Sequence, residues 1–171
     1  MPVIVVPESV PEEFVADRSL KFSRLDDSLP SSNLLVVGLG LDRAMGEDRK
    51  NISNTIFWFL KEFAGREDVG LVLKVSMINN TLLDREAITN RIKSIREASG
   101  VGKYPKITLL HGMMSTPEMC LLYNDKRIKG LVSLTHGEGF GLPMLEALAC
   151  GLPVAATSWS GHLDFLLNDF V

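Results

Sequence analysis

Two carboxylates, Glu138 and Glu146, bracket seven residues made only of Gly, Pro and apolar side chains in the stretch HGEGFGLPMLEALACGLPVAATS at residues 136–158. An acid held in apolar surroundings costs several kcal/mol unless something pairs with it, so two acids in such a frame call for a partner, and a ligand is one candidate. The glycines at 137, 139 and 141 leave the backbone bare enough for a phosphate or sugar to approach closely. Pro143 suits the first turn of a helix, where free N–H groups and the positive end of the helix dipole favour an anion. Glu146 then falls in the first turns of that helix. Its two oxygens can accept two hydrogen bonds from a vicinal diol such as a ribose, each worth about 1.5–3 kcal/mol. Glu138, before the turn, lies near whatever the phosphates carry. The spacing suggests one acid for a ribose and one for a sugar.

Such a loop needs a strand behind it and a helix in front. From residue 33 onward, short β-branched apolar runs alternate with longer amphipathic segments, the pattern of repeated βα units and a parallel sheet. The strands expected are Leu34 to Gly38, Leu71 to Ser76, Lys106 to Leu110, Gly130 to Leu134 and Pro153 to Ala156. Helices are expected at about Lys50 to Gly65, Asp84 to Ala98, Thr116 to Asn124 and Leu142 to Cys150, with a short closing helix from His162 to Leu167. Ser115 with Glu118 forms a capping box, Pro117 starts the same helix, and Gly151 stands just past the end of the fourth. Leu145, Leu148 and Ala149 form the stripe expected to face the sheet. The aromatic group Phe57, Trp58, Phe59 and Phe63 is read as core packing. Residues 1–32 are acidic, hold four prolines and lack periodicity; they are read as a short strand at Val3 to Val6 and an irregular lead-in to the domain of residues 33–171.

The fold class expected is therefore α/β, a Rossmann-like parallel sheet flanked by helices. In such a sheet, ligands bind in loops beyond the carboxyl ends of the strands, where the Glu138 loop falls. With 171 residues and 46% hydrophobic content, the chain can bury a substantial core, and a net charge of −3 points to neither nucleic acid nor an anionic membrane as partner. The cluster Lys126, Arg127 and Lys129 is read as a solvated loop. Cys120 and Cys150 lack partners at metal-ligand spacing and read as reduced core thiols. Neither a signal peptide nor a span of about 18 apolar residues is visible, and a location in the cytoplasm or at the cytoplasmic membrane face is expected.

GEGFGLPMLEALACGLPVAATSWSG resembles the donor-binding motif of retaining GT-B glycosyltransferases, the group that includes glycogen-synthase-like enzymes. The resemblance implies the C-terminal half of a GT-B fold that binds a nucleotide-diphosphate sugar (a UDP-, GDP- or ADP-sugar) as donor. It implies that Glu146 holds the nucleotide ribose and Glu138 touches the donor sugar. The backbone of Gly139, Phe140, Gly141 and Leu142 meets the sugar and diphosphate, and His111, Gly112 and Met113 border the base. VIVVPESVPEEF resembles the segment leading into the second domain, and Arg49, Lys50 and Asn51 its basic helix start. In the family a lysine and an arginine neutralise the diphosphate. Lys50 matches the lysine, but the arginine's usual place holds Leu39, which leaves Arg43 as a substitute candidate. No Asp-any-Asp motif appears, in line with the metal-independent chemistry the resemblance implies, and no cofactor is expected. The family pairs this domain with an N-terminal acceptor domain across a cleft, so that half is expected in the same or a partner chain, and the isolated chain is expected to be inactive.

Three other functions fit parts of the pattern. A non-catalytic nucleotide-sugar-binding module would account for a single half, and a sugar-nucleotide epimerase shares the architecture. VVGLGLDRAMG hints at the dinucleotide fingerprint of a dehydrogenase. Its third glycine, however, would fall at Arg43, and the second strand ends in Lys74, Val75 and Ser76 without an acid for the ribose.

Overall fold

The computed structural model describes residues 8–39, 48–77 and 79–166. The expected strand at Val3 to Val6, Arg43 and the last residue of the expected closing helix lie outside them. Among the described residues, five strands and four helices alternate in the order β1 Ser32–Leu39, α1 Ile52–Glu62, β2 Val69–Ser76, α2 Leu82–Ser99, β3 Lys106–His111, α3 Thr116–Asn124, β4 Ile128–Ser133, α4 Leu142–Ala149 and β5 Val154–Ala156. A 3₁₀ turn at Gly161–Asp164 follows, shorter than the helix expected there.

All strands are parallel, in the order β3-β2-β1-β4-β5, so the sheet is Rossmann-like, as expected. The chain winds outward from β1 to β3, crosses back to β4 and winds outward the other way. Right-handed crossovers then put α1 and α2 on one face, with α3 and α4 on the other. Two apolar layers follow from this. Ile52, Ile56, Phe59 and Leu60 of α1 and Ile88, Ile92 and Ile95 of α2 pack on Leu71, Leu73 and Val75. Tyr123 of α3 and Met144 and Ala147 of α4 pack with Leu35, Val72 and Leu131 on the opposite face. β2 is buried along its whole length, because it lies inside the sheet and both faces are covered.

Local chemistry sets the helix ends. The Thr81 hydroxyl accepts from the Asp84 N–H at 3.2 Å and Asp84 accepts from the Thr81 N–H at 2.8 Å, which starts α2 two residues before the expected Asp84. The Ser115–Glu118 box starts α3 as expected. Gly151, at φ 68, ends α4 in the left-handed region.

Four details differ from the sequence reading. Trp58 is 60% exposed and lines, with Leu34, Phe63, Val132 and Leu134, an apolar cavity of about 300 Å³ beside α1. Consecutive helix positions point about 100° apart, so Phe57, Trp58 and Phe59 cannot all face one core. The buried face of α4 is Met144 and Ala147, not the stripe of Leu145, Leu148 and Ala149. Arg127 is not a solvated loop cation: it pairs with buried Asp125 at 2.7 Å and donates to the Phe22 and Leu25 carbonyls. Burial works against the Asp125 charge, but Arg127 and the backbone N–H groups of Arg127 and Phe22 more than offset it and hold the carboxyl below its usual range. Finally, the lead-in is irregular, yet from residue 8 onward it is a strap packed onto the sheet domain. Phe14, Phe22 and Leu25 are buried in the α3–α4 layer, and Arg18 donates to the carbonyls of Tyr123 at 3.0 Å and Ile128 at 2.8 Å.

Cys120 and Cys150 are both free and buried. Burial, with Cys120 adjoining, pushes the Cys150 thiol up to about 12, so it stays protonated.

Candidate functional site

The strand order reverses between β1 and β4, the kind of switch point beyond whose carboxyl ends parallel sheets bind ligands. Arg49 and Lys50 stand on the loop after β1 and Glu138 on the loop after β4. The Lys50 ammonium donates to Glu138 Oε1, and Arg49 Nη1 lies 3.5 Å from Oε2. Arg49 Nη1 also donates to the Gly137 carbonyl. Two cations that the sequence places one residue apart thus converge on one nearly buried carboxylate.

Hydrogen bonds to the backbone tie the two loops together. The His136 N–H donates to the Arg49 carbonyl at 2.9 Å, and Asn51 Nδ2 donates to the Leu134 carbonyl at 2.9 Å. Thr135, fully buried, accepts from the Gly137 N–H at 3.2 Å while its hydroxyl sits 3.1 Å from the Arg49 carbonyl. A third loop, after β5, clasps the second. Ser160 Oγ accepts from the Glu138 N–H at 2.8 Å and donates to the Glu138 carbonyl at 2.7 Å, and the Gly161 N–H donates to the same carbonyl at 3.2 Å. A Cβ at Gly161 would sit 1.8 Å from the Gly139 carbonyl oxygen, so only glycine permits this approach. Ser160 itself adopts φ 84, a left-handed backbone that a serine holds only when its surroundings fix it.

The two nearby helix ends differ. At α1, Asp48 Oδ2 accepts from the Ser53 N–H at 2.7 Å, so a side-chain carboxylate already occupies the end. At α4, the N-cap Gly141 offers no side chain, Pro143 stands in the first turn and no acid is present there. The α4 end is the one left open for a ligand anion. Gly141 sits at φ 97, and a Cβ there would press Met144 and His162 within 3 Å, so the turn between the two acids is built for glycine.

Glu146 sits in the second turn of α4, half-buried, with Oε2 accepting from the Tyr123 hydroxyl at 2.9 Å. Burial raises its carboxyl above the ordinary value, partly offset by the Tyr123 hydrogen bond. Phe140 stacks near Phe165 with ring centroids 5.2 Å apart. His111 ends the edge strand β3, with Nε2 buried and unpartnered among the described residues; Gly112 turns the chain at φ 100, and Met113 is 74% exposed. Among the described residues no cluster of His, Cys, Asp or Glu is arranged to hold a metal ion. No helix among them is long and apolar enough to cross a membrane.

The fold thus brings Lys50 and Glu138 into contact, places the Gly139–Leu142 turn between Glu138 and Glu146, and sets His111–Met113 at the same end of the sheet two strands away from β1. Arg43 lies outside the described residues. Arg49, Tyr123 and Ser160 were not singled out as site residues. Arg49 carried a signal, standing beside Lys50 at the basic helix start, and Ser160 stood within the quoted motif at its end, whereas Tyr123 carried none short of the fold.

Residues 90–170 match the family Glycosyl transferases group 1. The chain is 32% identical over 124 residues to a probable sucrose-phosphate synthase of Thermosipho melanesiensis, a match that takes in 71% of this chain and 26% of that protein. The chain therefore spans about a quarter of the length of that curated relative. Among solved structures it is similar to the C-terminal domain of a glycosyl transferase group 1 family protein from Francisella tularensis, with a TM-score of 0.58 at 17% identity over 90% of this chain and 76% of that one. It is also similar to an α,α-trehalose-phosphate synthase from Burkholderia xenovorans, with a TM-score of 0.58 at 13% identity over 80% of this chain and 32% of that one.

Proposed function

We propose that this chain is a group 1 glycosyl transferase domain that binds a nucleotide-diphosphate sugar and presents it for transfer, with retention of configuration, to an acceptor held by a second domain. The observation that carries the reading is the convergence of Lys50 and Arg49 on Glu138 beside the open end of α4, with Glu146 one helical turn further on. In transfer with retention, the acceptor oxygen bonds to the anomeric carbon on the face from which the diphosphate oxygen departs, the acceptor hydroxyl proton passes to that departing oxygen, and negative charge gathers on the diphosphate as the old bond breaks. Fixed cations and N–H groups aimed there lower the barrier, each strong donor by about 3–4 kcal/mol. Lys50, Arg49 and the α4 N–H groups are this domain's donors. Arg49 fills the role assigned by resemblance to the family arginine, with Arg43 kept as the second candidate. Glu146 takes the ribose diol, Glu138 the sugar, the Gly139–Leu142 backbone the sugar and diphosphate, and His111, Gly112 and Met113 the base.

Lys50 and Glu138 neutralise one another. An incoming diphosphate offers Lys50 a second anion, which frees Glu138 to accept from sugar hydroxyls. The acceptor domain belongs to the same or a partner chain, and without it half a cleft supplies little of the roughly 7–11 kcal/mol that positioning contributes. A non-catalytic binding module remains the second reading, since the same donor contacts serve it.

Calorimetry with UDP, GDP and ADP tests the binding step. UDP comes first because a similar Escherichia coli structure is described as bound with UDP-2-fluoro glucose. Weak binding of at least one is expected; no heat and no thermal shift with any of them at millimolar concentration would end the proposal. Sugar transfer by the chain alone, abolished by Lys50→Ala, would overturn its dependence on a second domain.

A further inference from the structure

Tyr123 lies in the last turn of α3, fully buried, in the layer shared with Met144 and Ala147 of α4. Phe14 of the lead-in strap flanks its ring at a centroid distance of 6.0 Å, and Arg18 of the same strap holds its backbone carbonyl at 3.0 Å. The ring therefore has no room to swing, and its hydroxyl points at one atom, Glu146 Oε2, 2.9 Å away.

Burial, together with the Glu146 charge and the hydrogen bond to it, pushes the Tyr123 hydroxyl well above the usual tyrosine range. The phenol stays protonated, and toward a carboxylate it can only donate. A carboxylate has four lone-pair sites on two oxygens. Tyr123 occupies one site on Oε2 and thereby fixes the rotation of the whole group, which leaves Oε1 at a defined angle to whatever enters the crevice.

We propose that Tyr123 is a positioning residue for ribose recognition: its buried hydroxyl locks Glu146 so that Oε1 is presented, already oriented, to the vicinal diol of the nucleotide. This rests on the reading of Glu146 as the ribose acid. A glutamate side chain on a helix otherwise samples several rotamers, and a ligand must then freeze them on binding. Here the strap and α3 fix the orientation beforehand. Ribose selectivity is thus set partly by residues 14–18, more than 100 positions before the acid they serve.

The test uses the tightest of UDP, GDP and ADP together with its 2′,3′-dideoxy analogue, titrated against the parent, Tyr123→Phe, Glu146→Gln and the double variant. Tyr123→Phe keeps the ring and its packing and removes one oxygen. Its preference for the ribose form over the dideoxy form should shrink about 3- to 10-fold, with binding of the dideoxy form unchanged. The double variant should lose no more preference than Glu146→Gln alone, because the hydroxyl acts only through the carboxylate. A merely structural role for Tyr123 would lower both affinities equally or neither. Tyr123→Phe with the parent's preference, or full additivity in the double variant, overturns the proposal while leaving Glu146 as the ribose acid. A parent with no preference for the ribose form overturns both. A crystal structure of the nucleotide complex gives an answer independent of any variant: Tyr123 still bonded to Oε2 with the diol on Oε1 supports the proposal, and Oε2 released from Tyr123 refutes it.

Discussion

The Lys50 ammonium and the Glu138 carboxylate are paired across 88 positions of sequence, with side chains only 14% and 8% exposed. The pair joins the loops on either side of the point where the strand order reverses, so it contributes to fold and site together. Lys50→Met should destabilise the empty domain by about 1–3 kcal/mol in urea unfolding, the cost of leaving a largely buried carboxylate with Arg49 alone. Adding Glu138→Gln should restore most of that stability without restoring nucleotide binding. Equal nucleotide affinity in Lys50→Met and parent would remove Lys50 from the diphosphate site.

Glu146 should trade stability against affinity. Burial raises its folded-state pKa above the unfolded value, so its favourable contribution is fully present below the ordinary carboxylate range and is lost as pH rises through the raised pKa. At neutral pH the ionised acid therefore costs the empty domain stability. Glu146→Gln should melt higher than the parent at pH 7, with the gap closing in acid, while nucleotide affinity falls by about 1–3 kcal/mol. Thermal melts at pH 4 and pH 7 beside calorimetry decide this; a variant that melts lower at pH 7 contradicts it.

Gly161→Ala should separate the loop after β5 from the Glu138 loop, because the added carbon cannot coexist with the Gly139 carbonyl. Ser160→Ala is the milder change and removes two hydrogen bonds to Glu138, about 1–3 kcal/mol in all. Hydrogen exchange at the Glu138 amide should speed up in both variants while the β2 amides keep their protection. Unchanged exchange at Glu138 would mean that the clasp does not hold the loop.

Phe22 anchors the strap, 2% exposed and with its N–H bonded to Asp125 at 2.9 Å. Phe22→Ala should cost about 3–5 kcal/mol, as for a core aromatic, although it lies in a segment without regular structure. A loss under 1 kcal/mol in denaturant unfolding would show the strap to be dispensable.

The alternation of short β-branched runs with amphipathic segments was enough to read the parallel sheet, because the central strand β2 is buried along its whole length and the helices pack one face against the sheet. It could not orient α4, whose eight residues Leu142–Ala149 are apolar except for Pro143 and Glu146, so that no stripe stands out. Nor could it attach the strap, whose anchors Phe14, Phe22 and Leu25 follow no period and gain meaning only from Asp125 and Arg127 beneath them. In the site, Glu138, Glu146 and Lys50 were legible because they stand in a compact motif or at a strand-to-helix junction. Ser160 stood at the end of that motif but its hold on Glu138 shows only in the fold, and Tyr123, brought to Glu146 by packing between α3 and α4, leaves no local trace.

The two tryptophans, Trp58 and Trp159, stand in different surroundings, both more than half exposed: one at the mouth of the apolar cavity beside α1, the other next to Ser160 in the loop that clasps Glu138. The molecule carries its own pair of optical probes. With Trp58→Phe the remaining emission reports on the crevice alone, and with Trp159→Phe it reports on the cavity alone, so movements at the two places can be followed separately without attaching a dye.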